Sequence, residues 1–115
     1  MKMRTWLSDK YWEIRYAWQR AIRGYDDRMI FSFYSEHTRL VVSVLTKLQK
    51  DQVFYPTIFK NVKEWKTTIG KIIKGFEASK DLNEFDISPK KNLRLQKQFD
   101  EGMDLFKKYY LNLWD

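Results

Sequence analysis

Cysteine is missing from all 115 residues, and histidine occurs once, at His37. Without cysteine there is no disulfide framework, no thiolate nucleophile and no thiolate-bound metal, and a reducing compartment is the plainer setting. A single histidine excludes every paired-histidine metal motif. Glycine and proline are scarce, at 4 and 2 residues, so the chain has no collagenous, linker-rich or low-complexity character. A run of about 18 apolar residues is also absent, as is an apolar N-terminal core of the signal-peptide kind, and the sequence predicts neither a membrane span nor secretion.

What remains is a basic, aromatic-rich chain. Lys and Arg number 22 against 15 Asp and Glu, a net charge of +7 that favours anionic partners. The charge is uneven, because residues 1–60 hold 11 basic and 6 acidic side chains, whereas residues 61–115 hold 11 and 9. Six of the seven arginines precede residue 40, and 10 of the 15 lysines follow residue 60. Arginine suits fixed, bidentate contacts to phosphate or carboxylate; lysine acts more as a mobile point charge.

Apolar periodicity predicts an all-α fold, a compact bundle of four main helices, with residues 1–115 as a single helical domain. The first helix is expected from Ser8 or Asp9 to Arg23, with Tyr11, Ile14, Trp18 and Ile22 as its stripe and Gly24 as its stop. Asp26 is expected to cap a second helix, in which Ile30, Phe33, Tyr34, His37, Val41, Val44, Leu45 and Leu48 form one broad apolar face. Residues 51–60 contain Pro56 and read as an ordered connection. Asn61 and Glu64 have capping-box spacing at the start of a third helix, whose stripe is Val62, Trp65, Ile69, Ile72, Ile73 and Phe76. Ser88 before Pro89 marks the fourth, with a stripe from Leu95 through Phe99, Met103, Phe106 and Tyr110 to Leu113. Gly102 is placed where it permits a close helix crossing, although a tolerated exposed glycine fits as well.

Binding is a better reading of these side chains than catalysis. His37 sits in an apolar rhythm and reads as a packed structural histidine; Ser32, Ser35 and Asp27 lie near it in sequence but form no nucleophile elbow. Asp26 with Asp27, and Asp100, Glu101 and Asp104, reproduce no helical di-metal motif, so no catalytic residue, metal or cofactor is expected. The segment from Tyr11 to Arg28 interleaves Arg15, Arg20, Arg23 and Arg28 with Tyr11, Trp12, Tyr16, Trp18 and Tyr25. Such a surface holds phosphate through guanidinium donors and stacks a base on a ring; a core-facing stripe with solvated arginines gives the same pattern. The turn itself reads alternatively as an anion site or as a cap with internal ion pairs between arginine and aspartate. Lys63, Lys66, Lys71 and Lys74 share one side of the third helix, either as a solvated face or as a nucleic-acid contact.

The combination WQRAIRGYDDRMI at 18–30, FYP at 54–56 and EGMDLFKKYYLNLWD at 101–115 resembles a broad group of small tailed-bacteriophage proteins over most of the chain. Within that group it is similar to signal-sequestering anti-defence proteins, which bind cyclic dinucleotides without cleaving them and assemble as oligomers. The resemblance implies sequestration of a cyclic dinucleotide or related signalling nucleotide by a homo-oligomer in the cytoplasm of an infected bacterial host. No site residue follows from the resemblance; on side-chain chemistry alone, Arg20, Arg23 and Arg28 would neutralise the phosphates and Trp18 or Tyr25 would stack a base, with adjacent subunits completing the pocket. A phage adaptor or inhibitor that binds a host protein is the first alternative, and a small basic nucleic-acid-binding protein the second.

Overall fold

The computed structural model describes residues 2–82 and 84–114, without the side chains of residues 2–4 and 31. Its chain order is α1 (Lys2–Arg23), α2 (Asp27–Phe31), α3 (Phe33–Asp51), α4 (Val62–Asp81) and α5 (Pro89–Tyr109), closed by a 3-10 turn at Tyr110–Asn112. The all-α expectation holds, with five α-helices among the described residues in place of four. At Ser32 the backbone leaves helical geometry (φ −133°, ψ 43°) while its N–H still donates to the Arg28 carbonyl. Serine competes for backbone hydrogen bonds and interrupts a helix more readily than an apolar residue does. Helix α1 also starts earlier than expected, at Lys2 rather than at a Ser8 or Asp9 cap. No breaker separates Lys2 from Tyr11, and Leu7 extends the apolar stripe one turn towards the N-terminus.

The chain divides into two compact units, Met1–His37 and Thr38–Asp115. In the first, Gly24 adopts φ +82° and its N–H closes on the Arg20 carbonyl at 2.9 Å, which ends α1 as the sequence predicts. Asp26 caps α2 by accepting from the N–H groups of Arg28 and Met29. His37 is half-buried and stacks on Phe33 at 5.1 Å between ring centroids.

The second unit owns the core. Trp65, Ile69, Ile72, Ile73 and Phe76 of α4 pack with Leu45 of α3, and Val41, Leu48, Phe59, Met103, Phe106, Tyr109 and Leu113 close around them. Phe59, Trp65 and Tyr109 form an aromatic triad with centroids 5.2–5.6 Å apart. The expected caps hold: Asn61 accepts from the Glu64 N–H at 2.9 Å, and Ser88 from the Lys91 N–H at 3.2 Å. The Glu64 carboxylate reaches back to the Lys60 N–H, one residue before the cap. The broad face expected of the second helix is only partly enclosed, because Leu45 is buried whereas Ile30, Phe33, Tyr34 and Val44 are exposed. Among the described residues no helix is long and apolar enough to cross a membrane.

Helices α4 and α5 cross at paired glycines. A Cβ added to Gly75 would lie 2.7 Å from the Gly102 Cα, and one added to Gly102 would lie 2.6 Å from the Gly75 Cα and 3.0 Å from the Lys71 carbonyl. Both obstacles are backbone, so a side chain there forces the helices apart. Gly70 differs, since its added Cβ meets only the Gln49 amide at 3.0 Å. We therefore expect Gly102→Ala to lower unfolding free energy by about 1–3 kcal/mol through overpacking. Gly70→Ala, which gains helix propensity as Gln49 shifts, should change it by less than about 1 kcal/mol. Urea unfolding followed by far-UV circular dichroism separates the two.

Candidate functional site

The turn between α1 and α2 gathers most of the residues that the sequence singles out. Asp26 is buried to 1% exposure and draws two guanidinium groups to one oxygen, Arg20 at 2.7 Å and Arg28 at 3.0 Å. Arg23 meets Asp27 at 2.5 Å and donates through Nε to the Tyr25 carbonyl at 3.1 Å. Gln19 completes the cluster with a reciprocal pair, its amide donating to Asp27 Oδ2 and its carbonyl accepting the Asp27 N–H, both at 2.8 Å. Aromatic faces back the cations: Arg23 lies 4.5 Å from the Tyr25 ring centroid and Arg28 lies 4.5 Å from that of Tyr16.

Arg20, Arg23, Arg28 and Tyr25 therefore converge, as a binding site on this turn requires. Their strongest donors face internal carboxylates, the arrangement that the ion-paired alternative describes. Each arginine side chain nevertheless keeps 37–46% of its surface exposed. Trp18 stands apart. At about 100° per residue, Tyr16, Gln19, Arg20 and Arg23 occupy an arc of α1 centred roughly 150° from the line through Trp18. The ring of α1 that joins the arginines, beside Tyr25 of the turn, is Tyr16, four residues before Arg20 and in register with it on the helix. Gln19 was legible in the same way, one turn before Arg23, but carries no charge to draw attention to it.

The electrostatics follow the geometry. Burial of the Asp26 carboxyl favours its neutral form, but hydrogen bonds from Arg28, Arg20 and the Met29 N–H outweigh it and lower the pKa from an ordinary 3.8 to about 2. Hydrogen bonds from Gln19 and then Arg23 lower that of Asp27. Arg28 is pushed up by its bond to Asp26. Asp26, Asp27 and Arg28 are thus ionised near neutrality. Among the described residues no group of three or more His, Cys, Asp or Glu side chains is arranged to hold a metal ion.

A second candidate surface lies in the larger unit, where Gln52, Phe54, Tyr55, Pro56, Asn112 and Trp114 line an open depression of about 100 Å³. Its floor is fixed by Gln52, which is buried, donates to the Trp114 carbonyl at 2.7 Å and accepts the Trp65 indole N–H at 2.8 Å. One amide side chain thereby ties the 51–60 connection and the C-terminal segment to the core. Phe54 and Trp114 stay 71% and 65% exposed at the rim. The lysines of α4 offer no comparable constellation: Lys66 donates to the Lys50 carbonyl and Lys71 lies 3.6 Å from Glu101.

Because the folded pKa of Asp26 lies below its ordinary value, its contribution to stability is complete above about pH 4 and is lost as pH falls towards 2. Asp26→Asn keeps a competent helix cap and should remove that acid dependence at a cost of about 2 kcal/mol, whereas Asp26→Ala loses cap and ion pairs together at about 3 kcal/mol. Acid titration of circular dichroism and tryptophan fluorescence, with urea unfolding at neutral pH, checks both. Comparison with known proteins adds no relative: no protein-family model, no curated protein and no solved structure matches the chain.

Proposed function

We propose that this protein is a non-catalytic binding protein that acts as an adaptor or inhibitor of another protein, and that the Phe54–Trp114 depression is its contact. The observation that carries this reading is the anchored aromatic rim: exposed Phe54 and Trp114 stand on a floor held by buried Gln52. Exposed aromatics on a rigid base are the usual energetic anchors of protein interfaces. The depression, at about 100 Å³, matches one apolar side chain better than a small-molecule ligand, whose pockets run from about 300 to 1,000 Å³. The unit around it carries 15 basic and 10 acidic residues over 38–115, a net +5, which favours an acidic partner segment presenting that side chain.

A second reading rests on the arginine turn. Arg20, Arg23 and Arg28 beside the Tyr16 and Tyr25 rings supply the cations and stacking faces for capture of a cyclic dinucleotide or related nucleotide. In that case phosphate replaces the Asp26 and Asp27 carboxylates as the guanidinium partner.

The two readings separate experimentally. A partner retained by the wild-type chain and identified by mass spectrometry is purified and titrated against wild type and a Phe54→Ala, Trp114→Ala double variant. The adaptor reading expects an affinity loss of at least about tenfold with unchanged circular dichroism. Equal affinity of the double variant rejects the depression as the contact. Saturable binding of a cyclic dinucleotide, recovered intact after denaturation and weakened by Arg20→Ala with Arg23→Ala, supports the nucleotide reading.

A further inference from the structure

The docking of α2 has a consequence for the opposite side of α1. Because Gln19, Arg20 and Arg23 hold Asp26 and Asp27, α2 sits on the polar arc of α1. Leu7, Tyr11, Ile14, Trp18 and Ile22 fall within about 80° of arc on the far side. All five stay 56–69% exposed, although together they form the strongest apolar stripe of the helix.

Their spacing fits a short helix–helix seam. Leu7, Tyr11, Ile14 and Trp18 step by four, three and four residues, the alternation of a coiled-coil seam with Leu7 and Ile14 at d and Tyr11 and Trp18 at a. Each a position is aromatic and each d position aliphatic. The flanking g and e positions hold Lys10 and Arg15 on one heptad, and Ser8 and Ala17 beside them.

We propose that this stripe is a self-association surface, on which α1 pairs antiparallel with α1 of a second copy of the chain. Area supports it: five residues at these exposures present on the order of 600 Å², near the roughly 800 Å² that each partner contributes to a standard interface. Layer chemistry selects the direction. An antiparallel pair layers a against d, so Trp18 packs on Leu7 of the second copy and Tyr11 on its Ile14, a large ring against an aliphatic side chain in every layer. The flanks then place Lys10 beside Ala17 and Arg15 beside Ser8. A parallel pair instead stacks Trp18 on Trp18 and Tyr11 on Tyr11, and opposes Lys10 to Arg15 with like charge. A two-fold axis through such a seam makes the same patch serve both copies.

The chain's lack of cysteine provides a clean test. Sedimentation velocity of the wild-type protein at high micromolar concentration should show a dimer, and Ile14→Asp should weaken it by at least about tenfold without loss of helicity. Leu7→Cys mixed with Trp18→Cys should form a heterodisulfide under mild oxidation, while Leu7→Cys alone should not, since antiparallel pairing separates its two copies by about 16 Å along the axis. A monomer overturns the proposal, whether the stripe is then free or covered by another part of the same chain. So does a dimer indifferent to Ile14→Asp, or efficient crosslinking of Leu7→Cys to itself. The outcome is independent of the Phe54–Trp114 reading, whose titration uses other residues.

Discussion

The burial of the Asp26 carboxylate governs how the N-terminal unit can be used. A charge held at 1% exposure is tolerable only where donors surround it, and here two guanidinium groups and two backbone N–H groups do so. Those donors come from α1 and from the first turn of α2. Meeting that requirement fixes which side of α1 receives α2, and it is the polar side. The stripe of Leu7, Tyr11, Ile14, Trp18 and Ile22 is thereby left on the side of α1 away from α2 by an electrostatic constraint.

The larger unit is organised on the opposite principle. Its interior is built from close packing, with α4 buried along one face and brought against α5 at a glycine pair that admits no side chain. Polar groups enter this unit as ties. Gln52 accepts the Trp65 indole N–H and donates to the carbonyl of Trp114, 62 positions further along the chain, and Gln49 donates to the Lys66 carbonyl beside Gly70. Such bonds contribute only about 1 kcal/mol net each, but leaving their buried partners unmade costs more, so they fix the position of segments that have little packing of their own. The rim formed by Phe54 and Trp114 is a by-product of that anchoring.

Much of the local structure was legible because it depends on neighbouring residues. The glycine stop at Gly24, the caps at Asp26, Asn61 and Ser88, and the α4 core stripe each follow from a few consecutive positions. The interruption at Ser32 was not, since serine is compatible with a helix and only the local backbone shows the break. For the arginine turn, the sequence identified the participants but left open whether their donors serve a ligand or the aspartates between them. The charge of Arg20, Arg23 and Arg28 is the same in either case; distances of 2.5–3.0 Å to Asp26 and Asp27 show where it is spent in this conformation.

The sequence by itself determined the helical class, the positions of most helix ends, the absence of thiol chemistry and of paired-histidine metal sites, and the concentration of arginine near the N-terminus. These are properties of composition and of spacing over one or two helical turns. Tertiary structure decided which apolar stripes are enclosed, which ring accompanies the arginines, and that Gln52 rather than a hydrophobic residue holds the C-terminal segment. An amphipathic pattern states that a face prefers to leave water without naming what covers it, and a long-range hydrogen bond has no signature in local spacing.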